Sequence, residues 1–336
     1  MEENWDWYSR LQQRKTFTCL INSDQLIPIT GDYTEAIQVL LEMMETAKPR
    51  LTPAEIARGI RPQIDDRRSL NLDILTQISH RGRRNLELLI HSRQMAALSA
   101  VPVRSFVGRP VTRSSAPVIE QSDEASRIHV LHGMTELEQS HPRLRGISRR
   151  LVYDWSLTGP QTDYGPFKLD GSGQVNWQLL EGVCSTISRN FCRCADGRLI
   201  MPEGFHYSIP YRTLPDPTAP EDWAGAQGTW LGTYAFLDYA DLYQFNVGHR
   251  PGQRPSLDDE PEACGDLMKL ELKLNPSLKT DPKLNTAIPV CNDLPMLYFS
   301  GESRGHDGAY RPSISVRGSV SLVPGGKEVR WRYLIK

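Results

Sequence analysis

The sequence lacks any long apolar run. No stretch approaches the roughly 18 apolar residues of a membrane-spanning helix. The N-terminus, with Glu2, Glu3 and Asp6, is acidic where a signal peptide would be basic and then apolar. These absences predict a protein that has no membrane partner and stays inside the cell, in the cytoplasm or the nucleus.

Cysteine is scarce, with 6 residues among 336. So few do not form a disulfide framework in a chain of this length, and intracellular thiols stay reduced. Cys192 and Cys194 are the most closely spaced pair, but structural zinc usually takes four ligands in paired spacings and no second pair is present. The sequence therefore predicts no metal and no cofactor.

An excess of either charge is also missing, since 39 Lys and Arg stand against 40 Asp and Glu. Proteins that bind nucleic acid usually concentrate basic residues on one face. The densest basic runs here, at 81–84 and 143–150, are short. We expect no nucleic-acid partner.

The short motifs that could indicate catalysis lack the surrounding secondary structure that catalysis would need. Ser303 lies in a Gly-x-Ser-x-Gly match at 301–305, but Gly305, Gly308 and Pro312 follow where a nucleophile elbow needs a helix. No phosphate-binding glycine loop follows a predicted strand. His129 and His132 are interpreted as satisfied or solvated side chains. The sequence predicts no catalytic residue and no enzyme.

What the sequence does contain is a change of apolar period along the chain. Helical spacing within 37–44, 70–78 and 86–97 predicts helices near the N-terminus. A further helix is predicted over 176–192, with Asn176 as its cap and an apolar stripe as its buried side. Beyond 228 the period becomes two, which predicts strands.

These patterns predict an α+β fold, in which a helical N-terminal segment precedes an antiparallel sheet that curls into a partial barrel. We expect the following division: a helical segment at 1–100, a loop or linker at 101–125, a mixed segment at 126–201, a proline-rich connector at 202–227, and an antiparallel β domain at 228–336 that is incomplete at its C-terminus.

Aromatic residues recur on one face of the predicted strands. Trp230, Tyr234 and Phe236 alternate along a strand predicted over 229–238, which is expected to be central because both of its faces are apolar. Trp331 and Tyr333 alternate along the last strand, after a glycine turn at 324–327. These five side chains are the candidate recognition or pocket residues.

The same alternation assigns an inner and an outer side to the strand predicted over 266–274. Leu270 and Leu272 are expected in the core, whereas Lys269 and Lys273 are expected in solvent.

An ordered series of short motifs resembles a known family. The motifs lie at 152–154, 164–167, 170–177, 222–225, 228–239, 265–268, 298–305 and 316–320. Together they resemble the C-terminal region of fungal F-box-domain proteins, firmly from about 150 to 336 and more weakly over 1–100. No Leu-Pro-x-Glu opening of an F-box occurs, and the Trp5-Asp6-Trp7-Tyr8 segment would follow the F-box in such proteins.

The resemblance implies a calycin-like sheet that presents substrates to an SCF-type ubiquitin ligase, with an adaptor of that ligase and an unidentified protein client as partners. We therefore expect a non-enzymatic recognition module. Two alternatives stay open: a calycin-like barrel that binds a small apolar ligand, and an enzyme built on such a pocket.

Overall fold

A computed structural model describes residues 6–29, 31–47, 70–100, 123–195, 201, 203–205, 220–249, 254–255, 257–258, 262–264, 267–305 and 313–335. Residues 101–122 of the predicted linker and 206–219 of the proline-rich connector lie outside these ranges. The fold is α+β, as the sequence predicts. None of the helices described is both long enough and apolar enough to cross a membrane.

Helices make up most of the N-terminal part. They are α1 (Trp7–Ile21), α2 (Thr34–Thr46), α3 (Leu70–Arg81), α4 (Arg83–Ala100), α5 (Asp123–His132), α6 (Glu136–Ser140), α7 (Pro142–Tyr153), α8 (Trp177–Ala195) and, later in the chain, α9 (Tyr239–Asn246). The predicted helices at 37–44, 70–78 and 86–97 are confirmed as α2, α3 and α4. Side chains of α1 to α5, among them Ile21, Leu40, Leu75 and Leu86, form one apolar core.

Helix α8 begins as predicted but buries a different side. The Asn176 side chain accepts a hydrogen bond from the Leu179 amide at 3.1 Å, which caps the helix. In the predicted apolar stripe Leu179 is buried, whereas Val183 and Ile187 are only half-buried. The polar side, with Glu181 and Ser185, is buried instead.

The reason for this reversal is the close approach of α7. A Cβ atom on Gly182 would lie 3.0 Å from the Ser148 carbonyl oxygen, so the absence of a side chain at Gly182 lets α7 pack against this face. The polar residues beside Gly182 meet polar partners from α5 and α6 there.

The sheet is antiparallel throughout. Its strands are β1 (Gly228–Gly232), β4 (Met268–Leu274), β5 (Leu297–Gly305), β6 (Ile314–Leu322) and β7 (Val329–Ile335), hydrogen-bonded in the order β1-β4-β5-β6-β7. β2 (Ala235–Leu237) and β3 (Glu262–Cys264) form a separate pair. The five strands curl into a half-barrel, so side chains of the two outermost strands meet on the inner face.

The single strand predicted over 229–238 is wrong. Pairing of β1 with β4 ends at Gly232 opposite Met268, and pairing resumes between β2 and β3. The chain segments that follow β1 and precede β4 both leave the sheet at this point, so the predicted strand is divided into β1 and β2. β1 therefore lies at an edge of the sheet rather than at its centre.

Strands do not account for the whole C-terminal part, because α9 follows β2 directly. The Asp238 side chain accepts from the Ala240 amide at 2.8 Å and caps this helix. Its Phe245 packs with Tyr153, Leu237 and Leu257. The alternation of apolar residues beyond 228 predicted only strands in this part of the chain. A helix of 8 residues is too short to give a clear helical period.

The glycine turn predicted at 324–327 is confirmed. Gly325 and Gly326 have φ values of 97° and 70°, a region that glycine enters without strain. The Val323 amide donates to the Glu328 carbonyl at 2.9 Å and closes the connection between β6 and β7.

Arg127 on α5 joins the helices to this turn. Its guanidinium lies 2.6 Å from Glu45 Oε1 on α2 and 3.2 Å from Glu328 Oε1 just before β7. It also lies over the Trp177 ring, 5.2 Å from the centroid. One largely buried cation therefore links three separate parts of the fold.

The core assignment of β4 can be tested by truncation. Leu272 is buried among the inner side chains of the sheet, so Leu272→Ala should lower the free energy of unfolding by about 2 to 5 kcal/mol. Leu270 is only partly buried, so Leu270→Ala should lower the free energy of unfolding by less. Urea denaturation measures both.

Lys273→Ala is the matched control, because Lys273 is exposed on the opposite face of β4. Its effect should stay within about 0.5 kcal/mol. Equal losses for Leu272→Ala and Lys273→Ala would show that β4 has a different register.

Candidate functional site

An aromatic cluster lies on the inner face of the half-barrel. We give this name to Trp230, Phe299, Trp331 and Tyr333. The ring centroids of Trp230 and Trp331 are 5.1 Å apart, and those of Phe299 and Tyr333 are 5.2 Å apart. Phe299 is fully buried, whereas Trp230 and Tyr333 are 38% and 42% exposed. The cluster therefore has a buried base and an accessible upper part.

Register and a glycine place these rings together. Phe299 pairs with Gly318 on β6, which in turn pairs with Tyr333 on β7. A Cβ atom on Gly318 would lie 2.3 Å from the Phe299 ring, so the missing side chain makes room for it.

A turn before β1 positions Trp230. The Asp222 carboxylate accepts from the amides of Ala226 and Gln227 at 2.7 and 2.8 Å. The Ala226 carbonyl then accepts from the Trp230 indole N–H at 3.1 Å. Because its polar atom is satisfied within the turn, Trp230 presents an apolar surface.

The interior below the cluster is filled with apolar side chains. Leu272, Val320 and Leu322 are buried there beside Phe299. Burial also raises the pKa of Tyr333 to about 12, so its phenol is neutral at physiological pH.

Three of the five aromatic residues singled out from the sequence meet in this cluster. Tyr234 and Phe236 do not, because the ladder breaks before them. Phe236 lies on β2 and packs on Tyr239 at 5.0 Å, while Tyr234 is exposed and its carbonyl accepts from Asn190. Phe299 was missed, although its place in an apolar strand was a signal.

A second group of side chains lies buried among the helices, and we call it the polar cluster. Its members are His91 and Gln94 on α4, Ser126 and His129 on α5, Thr135 and Glu138 at α6, and Glu181, Ser185 and Arg189 on α8.

His129 lies between two carboxylates. Its Nδ1 is 2.7 Å from Glu181 Oε1, and its Nε2 is 3.2 Å from Glu138 Oε2. Glu181 also accepts from the Ser126 hydroxyl at 2.7 Å, and Glu138 accepts from the Ser185 hydroxyl. Both carboxylates are thus held in place by side chains of neighbouring helices.

His91 is held from both sides of its ring. Its Nδ1 lies 2.7 Å from Gln94 Oε1, and its Nε2 lies 2.8 Å from the Thr135 hydroxyl. Gln94 Nε2 lies 3.4 Å from Glu181, which fixes the orientation of the amide, so Gln94 Oε1 accepts from His91. The His91 proton therefore sits on Nδ1, and Nε2 has a lone pair.

The charges of the cluster follow from these contacts. Burial disfavours the charged form of His129, but Glu138 and Glu181 outweigh it and raise the pKa of His129 to about 10. Burial opposes ionisation of Glu138 as well, yet His129 lowers the pKa of Glu138 to about 2. Burial and the His129 charge lower the pKa of His91 to about 4. At neutral pH His129 is charged and His91 is neutral.

Sequence reasoning missed most of this cluster. His129 was interpreted as a satisfied or solvated side chain, and Glu181 was not singled out. A signal was nevertheless present, because Glu181, Ser185 and Arg189 recur every four residues and line one helix side.

The motifs set aside in the sequence have ordinary structural roles. Ser303 lies within β5 and pairs with Leu270 and Ile314, so it is not on a strand-to-helix elbow. Cys192 and Cys194 are two positions apart on α8, so they do not face each other.

Comparison with known proteins finds no matching family model, no matching curated protein and no matching solved structure.

The burial of His132 beside the polar cluster predicts a pH dependence. Burial lowers the pKa of His132 from 6.5 to about 4. Below pH 6.5 the unfolded chain therefore takes up a proton that the folded chain refuses. Stability should be lost as the pH falls from about 6.5 to 4, by about 3 kcal/mol in total.

The measurement compares urea unfolding of the wild type and His132→Gln at several pH values. The variant cannot titrate at this position, so the difference between the two curves isolates His132. Curves that stay parallel between pH 7 and pH 4 would contradict the prediction.

Proposed function

We propose that this chain is a non-enzymatic recognition module that binds a protein client through the aromatic cluster. The supporting observation is the combination of a filled interior with an exposed aromatic rim. Trp230 and Tyr333 present large rigid rings to solvent. Phe299 is buried beneath them and fills the base of the cluster. Tryptophan and tyrosine are the residues that most often dominate protein interfaces.

The apolar surface continues beyond the rings. Ile335 lies on the same face as Tyr333, next to it along β7, and is 73% exposed. Ile314 on β6 extends this surface and is also exposed. A contiguous exposed apolar patch of this kind is typical of an interaction site.

The edges of the sheet suggest how a client segment would bind. β1 and β7 are the outermost strands of the described sheet, and both carry residues of the cluster. An extended peptide can pair with such an edge while its apolar side chains rest on the aromatic rings. We therefore propose an extended, apolar segment as the recognised element.

The resemblance to fungal F-box proteins supports the same function and adds a role for it. In that role the half-barrel presents the client to an SCF-type ubiquitin ligase through an adaptor. The filled interior favours this proposal over a barrel that encloses a small apolar ligand, for which several hundred Å³ of closed apolar space is usual.

Matched variants of the rim test the proposal. Trp230→Ala and Tyr333→Ala should each reduce the recovery of a specific client from a fungal extract by roughly tenfold or more, as for interface hot spots. Tyr8→Ala is the control, since Tyr8 is an exposed aromatic residue on α1. Quantitative mass spectrometry of bound proteins is the readout, after circular dichroism has shown that the variants are folded.

The outcomes separate the alternatives. Equal recovery by all variants would contradict client binding through the cluster. Stoichiometric binding of a small apolar fluorophore that is lost in both rim variants would favour the ligand-binding alternative. Ligase subunits that are recovered with every variant would support the F-box-type role, and their absence would remove that role alone.

A further inference from the structure

We propose that His91, His129 and Glu138 form a binding site for one divalent transition-metal ion. Their donor atoms converge between the helices, and each of the three side chains is oriented by a hydrogen bond to a neighbouring side chain. The site belongs to the polar cluster and is independent of the aromatic cluster. Zn²⁺ is the ion that the donor set suits best.

The three donors are close and buried. One ligand atom of each residue lies within 4.8 Å of the other two. His91, His129 and Glu138 are 1%, 5% and 1% exposed. They come from α4, α5 and α6, so a bound ion would cross-link three helices. Donors around a tetrahedral zinc ion lie roughly 3.3 Å apart. His129 Nε2 and Glu138 Oε2 are already 3.2 Å apart, so binding requires mainly that His91 moves closer to them.

Outer partners orient each donor as they do in known metal centres. Glu181 accepts from Nδ1 of His129, which directs Nε2 towards Glu138. Gln94 accepts from Nδ1 of His91 and leaves the lone pair on its Nε2. Ligating histidines usually donate their second nitrogen in this way, and the partner increases their basicity.

Glu138 turns one carboxylate oxygen, Oε2, towards the His129 ring. Its Oε1 accepts a hydrogen bond from Ser185, but its buried Oε2 accepts none, although His129 lies within ion-pair distance. A buried carboxylate oxygen without a hydrogen bond is unusual and costs stability. A metal ion between His129 and Glu138 would take the place of the His129 Nε2 proton as the partner of this oxygen.

The chemistry of the donors selects the ion. Two imidazole nitrogens and one carboxylate oxygen suit Zn²⁺, Co²⁺ and similar ions, whereas Ca²⁺ and Mg²⁺ prefer oxygen alone. Binding expels the Nε2 proton of His129 to solvent, so the charge of the cluster rises by one. The Thr135 hydroxyl turns away from His91 Nε2 and still accepts from the Glu138 amide.

The experiment uses the full chain with Cys192→Ser and Cys194→Ser, which removes the closely spaced thiols. Because the donors are buried, Zn²⁺ or Co²⁺ is added during refolding from urea after treatment with a chelator. We expect one ion per chain and an increase in melting temperature of roughly 5 °C or more. Co²⁺ should give visible bands of nitrogen and oxygen ligands without a thiolate charge-transfer band.

His91→Gln and Glu138→Gln should each weaken Zn²⁺ binding at least tenfold, a loss in the range known for altered metal sites. His132→Gln is the matched control, because His132 is a buried histidine on the same helix as His129 but outside the donor set. It should leave the affinity unchanged.

Three results would overturn the proposal: no stoichiometric ion at tens of micromolar free metal, a thiolate band with Co²⁺, or an equal loss of affinity in His132→Gln and His91→Gln. If the ligand variants fail to fold, the Co²⁺ spectrum and stoichiometry of the parent chain decide alone. None of these results bears on client binding by the aromatic cluster.

Discussion

The arrangement of the helices depends on two carboxylates, Glu138 and Glu181, that are buried where water cannot reach them. A buried charge costs several kcal/mol unless partners compensate it. Here the partners come from different helices, with His129 on α5, Ser185 on α8 and Gln94 on α4. Each helix can therefore occupy only the position in which its side chain meets the carboxylates. Apolar packing alone would tolerate many small shifts.

Local sequence patterns predicted the elements better than their faces. The cap at Asn176 and the glycines at 325 and 326 act within a few residues, so α8 and the last turn were predictable. The buried side of α8 was not, because an apolar stripe does not reveal what the polar side meets. Its polar side is buried because Gly182 lets α7 approach and because Glu181 finds His129 there.

The aromatic cluster could be predicted from local sequence patterns to a greater extent than the polar cluster. Alternation placed Trp331 and Tyr333 on one face correctly, since period two is a local property of a strand. The contact between Trp230 and Trp331 depends on the order and curl of five strands, which no local pattern contains. The polar cluster requires four segments to come together, so only the spacing of Glu181, Ser185 and Arg189 hinted at it.

The ionic link at Arg127 has a consequence for how the chain folds. Arg127 reaches Glu45 near one end of the sequence and Glu328 near the other, so its charge is compensated only when both regions are in place. Contacts of such high sequence separation form late and slow the folding of a domain. Loss of the last hairpin would leave a largely buried cation beside Trp177 with half of its counter-charge. Unfolding of the sheet should therefore destabilise the helices, and the helices and the sheet should unfold as one cooperative unit.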